Sequence, residues 1–171
     1  MADRVRESLF AVLEPRIVGA RFADLCAGSG AVGIEALSRG ADHALFVERS
    51  RDAAQIIQTN LAALKLTDRG TLQCADVLSA LGSSDAQFDL IVADPPYDDA
   101  ALAEGILARC VAPGGPLADE GLLALTGRTR PGDLPRALPE GLRCLRTLIY
   151  GDSCVDLLER TEGTGTEVGN E

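Results

Sequence analysis

The run Phe88-Asp89-Leu90-Ile91-Val92-Ala93 ends abruptly in Asp94-Pro95-Pro96-Tyr97. Neither proline offers a backbone N–H and each fixes φ, so the pair stops a strand and holds an acid and a ring on a stiff support. The carboxyl ends of strands are where open α/β sheets bind ligands. The alternative is an ordinary strand exit, because Asp-Pro also opens turns. A second chemical stretch is Gly28-Ser29-Gly30-Ala31-Val32-Gly33, a G-x-G-x-x-G match lying after an apolar segment and opening a helical one. Its glycines permit a tight turn and close approach of backbone to a ligand, and the N–H groups that follow are free to bind it. A tight turn alone is the other reading. Glu48 follows eighteen residues beyond Gly30. An acid there can accept from both ribose hydroxyls of an adenosine-containing cofactor, or be a solvated loop glutamate. Asp76, after Thr71-Leu72-Gln73-Cys74, faces the same crevice and can accept from an adenine amino group.

These residues need a scaffold, and the pattern supplies one. Strands are expected at Arg21–Leu25, Ala44–Val47, Thr71–Cys74, Phe88–Ala93 and Leu122–Leu125. Leu90 to Ala93 are apolar in succession, as in a central parallel strand buried on both faces. Helices are expected at Arg4–Glu14, Ala31–Arg39, Arg51–Leu64 and Ala100–Arg109. In the first, Asp3 is the expected N-cap, Pro15 the stop, and Arg4 and Arg6 solvated. In the third, Ala53, Ile56, Ile57, Leu61 and Leu64 form the expected sheet-facing stripe. Leu145–Tyr150 and Cys154–Leu158 flank Gly151-Asp152, a hairpin turn signal. Alternating strands and helices from Phe22 to Leu125 predict an α/β architecture: a mostly parallel seven-stranded sheet, helices on both faces, and an antiparallel C-terminal pair. One domain is expected over 1–160, with a disordered Gly/Thr/Glu-rich tail over 161–171.

Composition narrows the chemistry. With 171 residues, 46% of them hydrophobic, the chain has enough apolar material for a core. A single histidine, His43, argues against a histidine metal site or triad, and no metal is expected. Five cysteines, odd in number and without a C-x-x-C pair, read as small core residues of a reducing cytoplasm. No apolar run approaches a membrane span, and the charged start lacks a signal-peptide core. The net charge of −10 disfavours nonspecific nucleic-acid binding. Arg128, Arg130, Arg136, Arg143 and Arg146 nevertheless gather positive charge late in the chain, as solvated surface or as an RNA-facing patch.

Asp24-Leu25-Cys26-Ala27-Gly28-Ser29-Gly30, Glu48, Asp76 and Asp94-Pro95-Pro96-Tyr97 occur in the order and spacing of the S-adenosylmethionine-dependent methyltransferases, whose amino-methylating branch they resemble. Asp3-Arg4-Val5-Arg6-Glu7-Ser8-Leu9-Phe10, Gly33-Ile34-Glu35-Ala36-Leu37-Ser38-Arg39-Gly40 and Tyr150-Gly151-Asp152-Ser153 resemble the RsmD-type family more narrowly. The resemblance runs from about Asp3 to Glu159. It implies a Rossmann-like class I methyltransferase fold and methylation of the exocyclic N2 of a guanine in small-subunit (16S) ribosomal RNA. S-adenosyl-L-methionine would be the cofactor and S-adenosyl-L-homocysteine its product. Family members usually begin with a further basic, Gly-rich segment thought to help hold RNA, and this sequence starts at the Asp-Arg-Val-Arg stretch itself.

The resemblance also assigns roles. Asp24 would orient the glycine loop and reach the cofactor's amino group, directly or through water, and Ala27, Gly28, Ser29 and Gly30 would pass along its methionine part. Glu48 would take the ribose hydroxyls, and Asp76 with the Val77 N–H the adenine. Asp94, with the Pro95 carbonyl, would hold the acceptor amino group at the Pro95-Pro96 turn, and Tyr97 would stack on the base. The expected partner is small-subunit ribosomal RNA or its assembling particle, met by a monomer. Three other readings share some residues: an NAD-dependent oxidoreductase, an amino-methyltransferase acting on DNA adenine or protein glutamine, and a cofactor-binding homologue with little activity.

Overall fold

In the computed structural model of the chain, which describes residues 1–82, 86–129 and 137–161, the apolar runs become strands and the periodic stretches helices. The order is α1 (Asp3–Ile17), β1 (Arg21–Leu25), α2 (Ala31–Ser38), β2 (His43–Val47), α3 (Arg51–Ala63), β3 (Gly70–Gln73), α4 (Val77–Gly82), β4 (Phe88–Ala93), α5 (Ala100–Val111), β5 (Leu117–Arg128), β6 (Leu142–Tyr150) and β7 (Ser153–Arg160). The strands form one seven-stranded sheet in the order β3-β2-β1-β4-β5-β7-β6. Strands β1 to β5 pair in parallel, and β7 runs antiparallel between β5 and β6. From β1 the chain winds outward through β2 and β3, then returns to lay β4 against the other side of β1. Crevices at such a reversal are where open α/β sheets take ligands.

Side-chain alternation explains the two layers of helices. Phe22, Leu90, Val92, Leu122 and Ala124 share one core with Phe10 of α1, Leu37 of α2 and Ile57 of α3. Their neighbours Ala23, Leu25, Ile91, Ala93, Leu123 and Leu125 share the other with Leu81 of α4 and with Ile106 and Leu107 of α5. A central strand must be apolar at every position to satisfy both.

Several expectations need correction. Pro15 does not end α1 but lies in its last turns, and Asp3 is a first-turn residue after an N-cap at Ala2. The missing Pro15 N–H frees the carbonyl of Ala11, which is exposed to water, while Leu13 and Ile17 continue the buried stripe. Arg6 is not solvated: its guanidinium donates to Glu35 at 2.8 Å, tying α1 to α2. On α3 the buried residues are Ala54, Ile57 and Leu61, whereas Ile56 and Leu64 are exposed. The stripe is therefore narrower than its apolar content suggested. Strand β5 starts five residues early, through a register shift beside Phe88 and Leu90 and a left-handed Glu120 (φ 60°). The hairpin forms as expected, with Gly151 at φ 63°. Among the described residues no helix is long and apolar enough to cross a membrane. Arg130, Arg136 and the tail beyond Thr161 lie outside the described residues.

One glycine sets how closely α2 approaches the sheet. A Cβ on Gly33 would overlap the Phe46 ring edge and come within 2.8 Å of its Cζ. Gly33→Ala is expected to cost about 1–3 kcal/mol by overpacking, read from urea or thermal unfolding. In a Phe46→Leu background the same change should cost measurably less. Equal losses in both backgrounds would show that the ring is not what excludes the side chain.

Candidate active site

The exit of β1 is held from inside the protein. Asp24 is only 2% exposed, and its Oδ2 accepts the Gly33 N–H at 2.8 Å, fastening the first turn of α2 to the strand. Between them the chain must turn sharply. Cys26 (φ 61°), Gly28 (φ 56°) and Gly30 (φ 78°) take left-handed conformations that glycine adopts without steric cost. The Ala27 N–H donates to the Val47 carbonyl at 3.0 Å, and the Gly30 N–H to the Ala27 carbonyl at 2.8 Å. The Asn60 side-chain amide donates to the Ser29 carbonyl at 3.2 Å.

Glu48, at the end of β2, closes this loop from the front. Its Oε2 accepts the Gly28 N–H and its Oε1 the Ser50 N–H, both at 2.8 Å. Two backbone donors fix the carboxylate, and each oxygen retains capacity for a further hydrogen bond. Asp76 follows β3, where its Oδ1 accepts the Ser79 N–H at 3.1 Å and caps α4. Sequence pattern missed α4 because its six residues are too few for a helical period.

The other half comes from β4. The Asp94 N–H donates to the Leu25 carbonyl at 3.2 Å, so the carboxyl ends of β1 and β4 stay side by side. Asp94 Oδ1 accepts the Thr126 hydroxyl at 2.5 Å, and Oδ2 accepts the Met1 amino group at 2.6 Å. The Asp99 N–H donates to the Pro96 carbonyl at 3.0 Å, and Asp99 Oδ1 caps α5 through the Leu102 N–H at 2.9 Å. Those bonds pin the loop carrying Tyr97, a residue 43% exposed whose ring centroid lies 5.1 Å from the Arg128 guanidinium.

A cavity of about 480 Å³ joins these elements, within the usual range for small-molecule sites. Of the residues singled out by sequence, Glu48, Asp76, Val77, Asp94, Pro95, Pro96 and Tyr97 line it. Asp24 and the loop Ala27 to Gly30 do not. Asp24 stands behind the loop, gripping α2. Sequence reasoning passed over Cys26, Ser50 and Leu102, which line the cavity, and Thr126 and Arg128 as partners of Asp94 and Tyr97. The one available signal was that Thr126 ends the run Leu122-Leu123-Ala124-Leu125 with a polar group, as Asp94 ends its own. Of the other late arginines, Arg143 pairs with Glu159 at 2.6 Å on the far edge of the sheet.

The carboxylates make the crevice electronegative. Burial, reinforced by Asp94 and Glu48 and opposed by the Gly33 N–H and the Met1 amino group, pushes Asp24 up to about 8. Burial and the charges of Glu48, Asp24 and Asp94 push the Cys26 thiol up to about 12, so Cys26 is a neutral wall residue and not an activated nucleophile. Among the described residues no group of three or more His, Cys, Asp or Glu is arranged to hold a metal. Asp24 has a testable consequence. Its folded-state pKa lies above the unfolded value, so the stabilising proton uptake is complete below pH about 4 and lost as pH rises through about 8. Asp24→Asn is expected to flatten the pH dependence of unfolding free energy between those limits, measured by denaturant titration. An unchanged slope would contradict a protonated, buried Asp24.

Comparison with known proteins agrees with this architecture. The family model described as "Conserved hypothetical protein 95" matches residues 1–159. Ribosomal RNA small subunit methyltransferase D of Escherichia coli (strain K12) is 35% identical over 158 residues, 92% of this chain and 77% of that protein. The YlbH protein of Bacillus subtilis (strain 168) is 42% identical over 103 residues, 58% of this chain and 56% of its own length, so that match spans just over half of the relative. The solved structure of yhhF from Escherichia coli superposes with a TM-score of 0.84 at 35% identity, covering 94% of this chain and 88% of that one. Ribosomal protein L11 methylase from Lactobacillus delbrueckii subsp. bulgaricus shares the fold at 19% identity, with a TM-score of 0.71 and coverage of 95% and 81%. By its sequence, its seven-stranded sheet and the residues around its crevice, the chain belongs to the RsmD-type family of ribosomal RNA methyltransferases.

Proposed function

We propose that this chain transfers a methyl group from S-adenosyl-L-methionine to the exocyclic N2 amino group of a guanine in small-subunit (16S) ribosomal RNA. One observation carries this. A single cavity is lined both by Glu48, Asp76 and Val77 and by Asp94, Pro95, Pro96 and Tyr97. Carboxylates suited to a nucleoside and an acid beside a ring open onto the same space. The class of RNA follows the Escherichia coli relative, a ribosomal RNA small subunit methyltransferase.

The residues fit the cofactor. Asp24 and the loop Ala27, Gly28, Ser29 and Gly30 would hold its methionine part, with Asp24 acting from behind through α2. Glu48 would accept from the ribose hydroxyls with the capacity its two backbone donors leave. Asp76 and the Val77 N–H would bracket the adenine, and Val47, Ala75 and Leu102 give the cavity apolar wall. An electronegative crevice suits a cationic ligand. When bound, S-adenosyl-L-methionine supplies an electrophilic methyl group on positively charged sulfur and leaves as S-adenosyl-L-homocysteine.

The acceptor needs more help. A guanine amino group is a weak nucleophile because its lone pair is delocalised into the ring. Asp94 would accept one N–H and the Pro95 carbonyl the other, favouring a pyramidal nitrogen whose lone pair points at the methyl group. As the N–C bond forms and the S–C bond breaks, the proton the nitrogen must lose would leave through the Asp94 carboxylate to solvent. Pro96 keeps that carbonyl fixed, and Tyr97 stacks on a base taken out of its helix or loop. Alignment of this kind is worth about 7–11 kcal/mol when the geometry is productive. Neither a metal nor a covalent nucleophile is required. The enzyme would act in the cytoplasm, as a monomer, on free RNA or an assembling particle.

Asp94→Ala should abolish methyl incorporation into unmodified small-subunit RNA while leaving S-adenosylhomocysteine affinity within a few-fold of wild type. Near-normal turnover by that variant would sink the assignment. Tyr97→Ala should weaken RNA engagement by about 1–3 kcal/mol, the usual worth of a base-stacking ring, and Tyr97→Phe should retain most of it. If Phe lost as much as Ala, the hydroxyl and not stacking would be responsible.

A further inference from the structure

We propose that the carboxyl end of β5 positions the acceptor half of the site, with Thr126 holding the Asp94 carboxylate and Arg128 holding the Tyr97 ring. This rests on the reading that Asp94 and Tyr97 receive the acceptor base. Strand register brings the pairs together. Ala93 is the partner of Leu125, so the next residue on each strand places Asp94 beside Thr126. Thr126 is 4% exposed and its hydroxyl donates to Asp94 Oδ1. A β-branched side chain on a strand has a stiff χ1, so the donor is fixed in direction. A carboxylate otherwise turns freely about its last torsion. With Oδ1 held by Thr126, Oδ2 is the oxygen left to take a nitrogen donor.

Arg128 stands two residues on. Among the described residues its side chain makes no ion pair or hydrogen bond, and its guanidinium lies over the Tyr97 ring. Tyr97, Pro95 and Pro96 form a wall between the cavity and a second cleft of about 240 Å³ lined by Asp98, Thr126, Gly127 and Arg128. Tyr97 lines both spaces and Arg128 only the cleft. The guanidinium therefore backs the ring from the cleft side and leaves the cavity side for a base. A planar guanidinium stacks on a ring where a lysine ammonium does not.

The test is single-turnover methyl transfer at saturating RNA and S-adenosylmethionine for Thr126, and steady-state methyl transfer with RNA varied for Arg128. Thr126→Val should slow the single turnover about 10- to 100-fold, the range for losing a hydrogen bond to a charged group, with unchanged S-adenosylhomocysteine affinity. Thr126→Ser should recover most of the rate, and Thr126→Ala replaces Val if that variant fails to fold. A valine or alanine variant at the wild-type rate, or a serine variant as slow as they are, overturns the role of Thr126. Arg128→Ala should raise KM for RNA about 2- to 5-fold with little effect on kcat, Arg128→Lys should not restore it, and the effect should vanish in a Tyr97→Ala background. An undiminished effect there, with a shallower salt dependence, identifies a phosphate contact and overturns the role of Arg128. Wild-type product identity separates the two levels: a methyl group on another acceptor refutes the guanine assignment and leaves the Thr126 result standing.

Discussion

The structure depends on β4 returning to lie against β1. That adjacency, sealed by the Asp94 N–H on the Leu25 carbonyl, brings residues 70 positions apart to one rim. Asp24 belongs to β1 and the glycine loop follows it, Glu48 follows β2, Asp76 follows β3, Asp94 follows β4 and Thr126 belongs to β5. Parallel strands in one sheet all end on the same side, so the acids converge without any being adjacent in sequence. Both layers of helices serve this arrangement. α2 is bound to β1 through Asp24 and Gly33, and α5 is capped by Asp99 at the loop that carries Tyr97.

Convergence has an electrostatic cost. Burial disfavours charge on Asp24, and the neighbouring Asp94 and Glu48 add to that. The fold offsets part of the cost with backbone donors: Gly33 to Asp24, Gly28 and Ser50 to Glu48, Ser79 to Asp76. A cationic ligand would offset more. On this hypothesis the apo protein keeps an electronegative pocket because its donor substrate carries positive charge, and the overall charge of −10 says little about RNA affinity. Direct measurement of proton release on cofactor binding would contradict the hypothesis if none were seen near pH 7.

Much of this was legible in the sequence, for identifiable reasons. Leu90 to Ala93 had to be a doubly buried strand, and two prolines had to end it. The glycines had to turn, and an acid eighteen residues later fell at the next strand end. What stayed hidden depended on contacts that no local pattern encodes. The bond from Thr126 to Asp94 spans 32 residues and needs the register of two strands joined by a helix. Placing β7 between β5 and β6 reverses the sequence order at the sheet edge. Ile56 and Leu64 look like core and Pro15 looks like a stop. Only tertiary packing shows that α3 presents a narrower stripe, and that water can satisfy the carbonyl Pro15 leaves free.

The central claim is that a cavity shared by nucleoside-binding carboxylates and the Asp94-to-Tyr97 turn methylates a guanine amino group. The most direct measurement is nucleoside mass spectrometry of small-subunit RNA lacking the modification, as free RNA and as particles, after incubation with the protein and S-adenosylmethionine. N2-methylguanosine at a single site, absent without protein, is the predicted result. A methyl group on any other nucleoside, or none on either substrate from protein that binds S-adenosylhomocysteine, would contradict it.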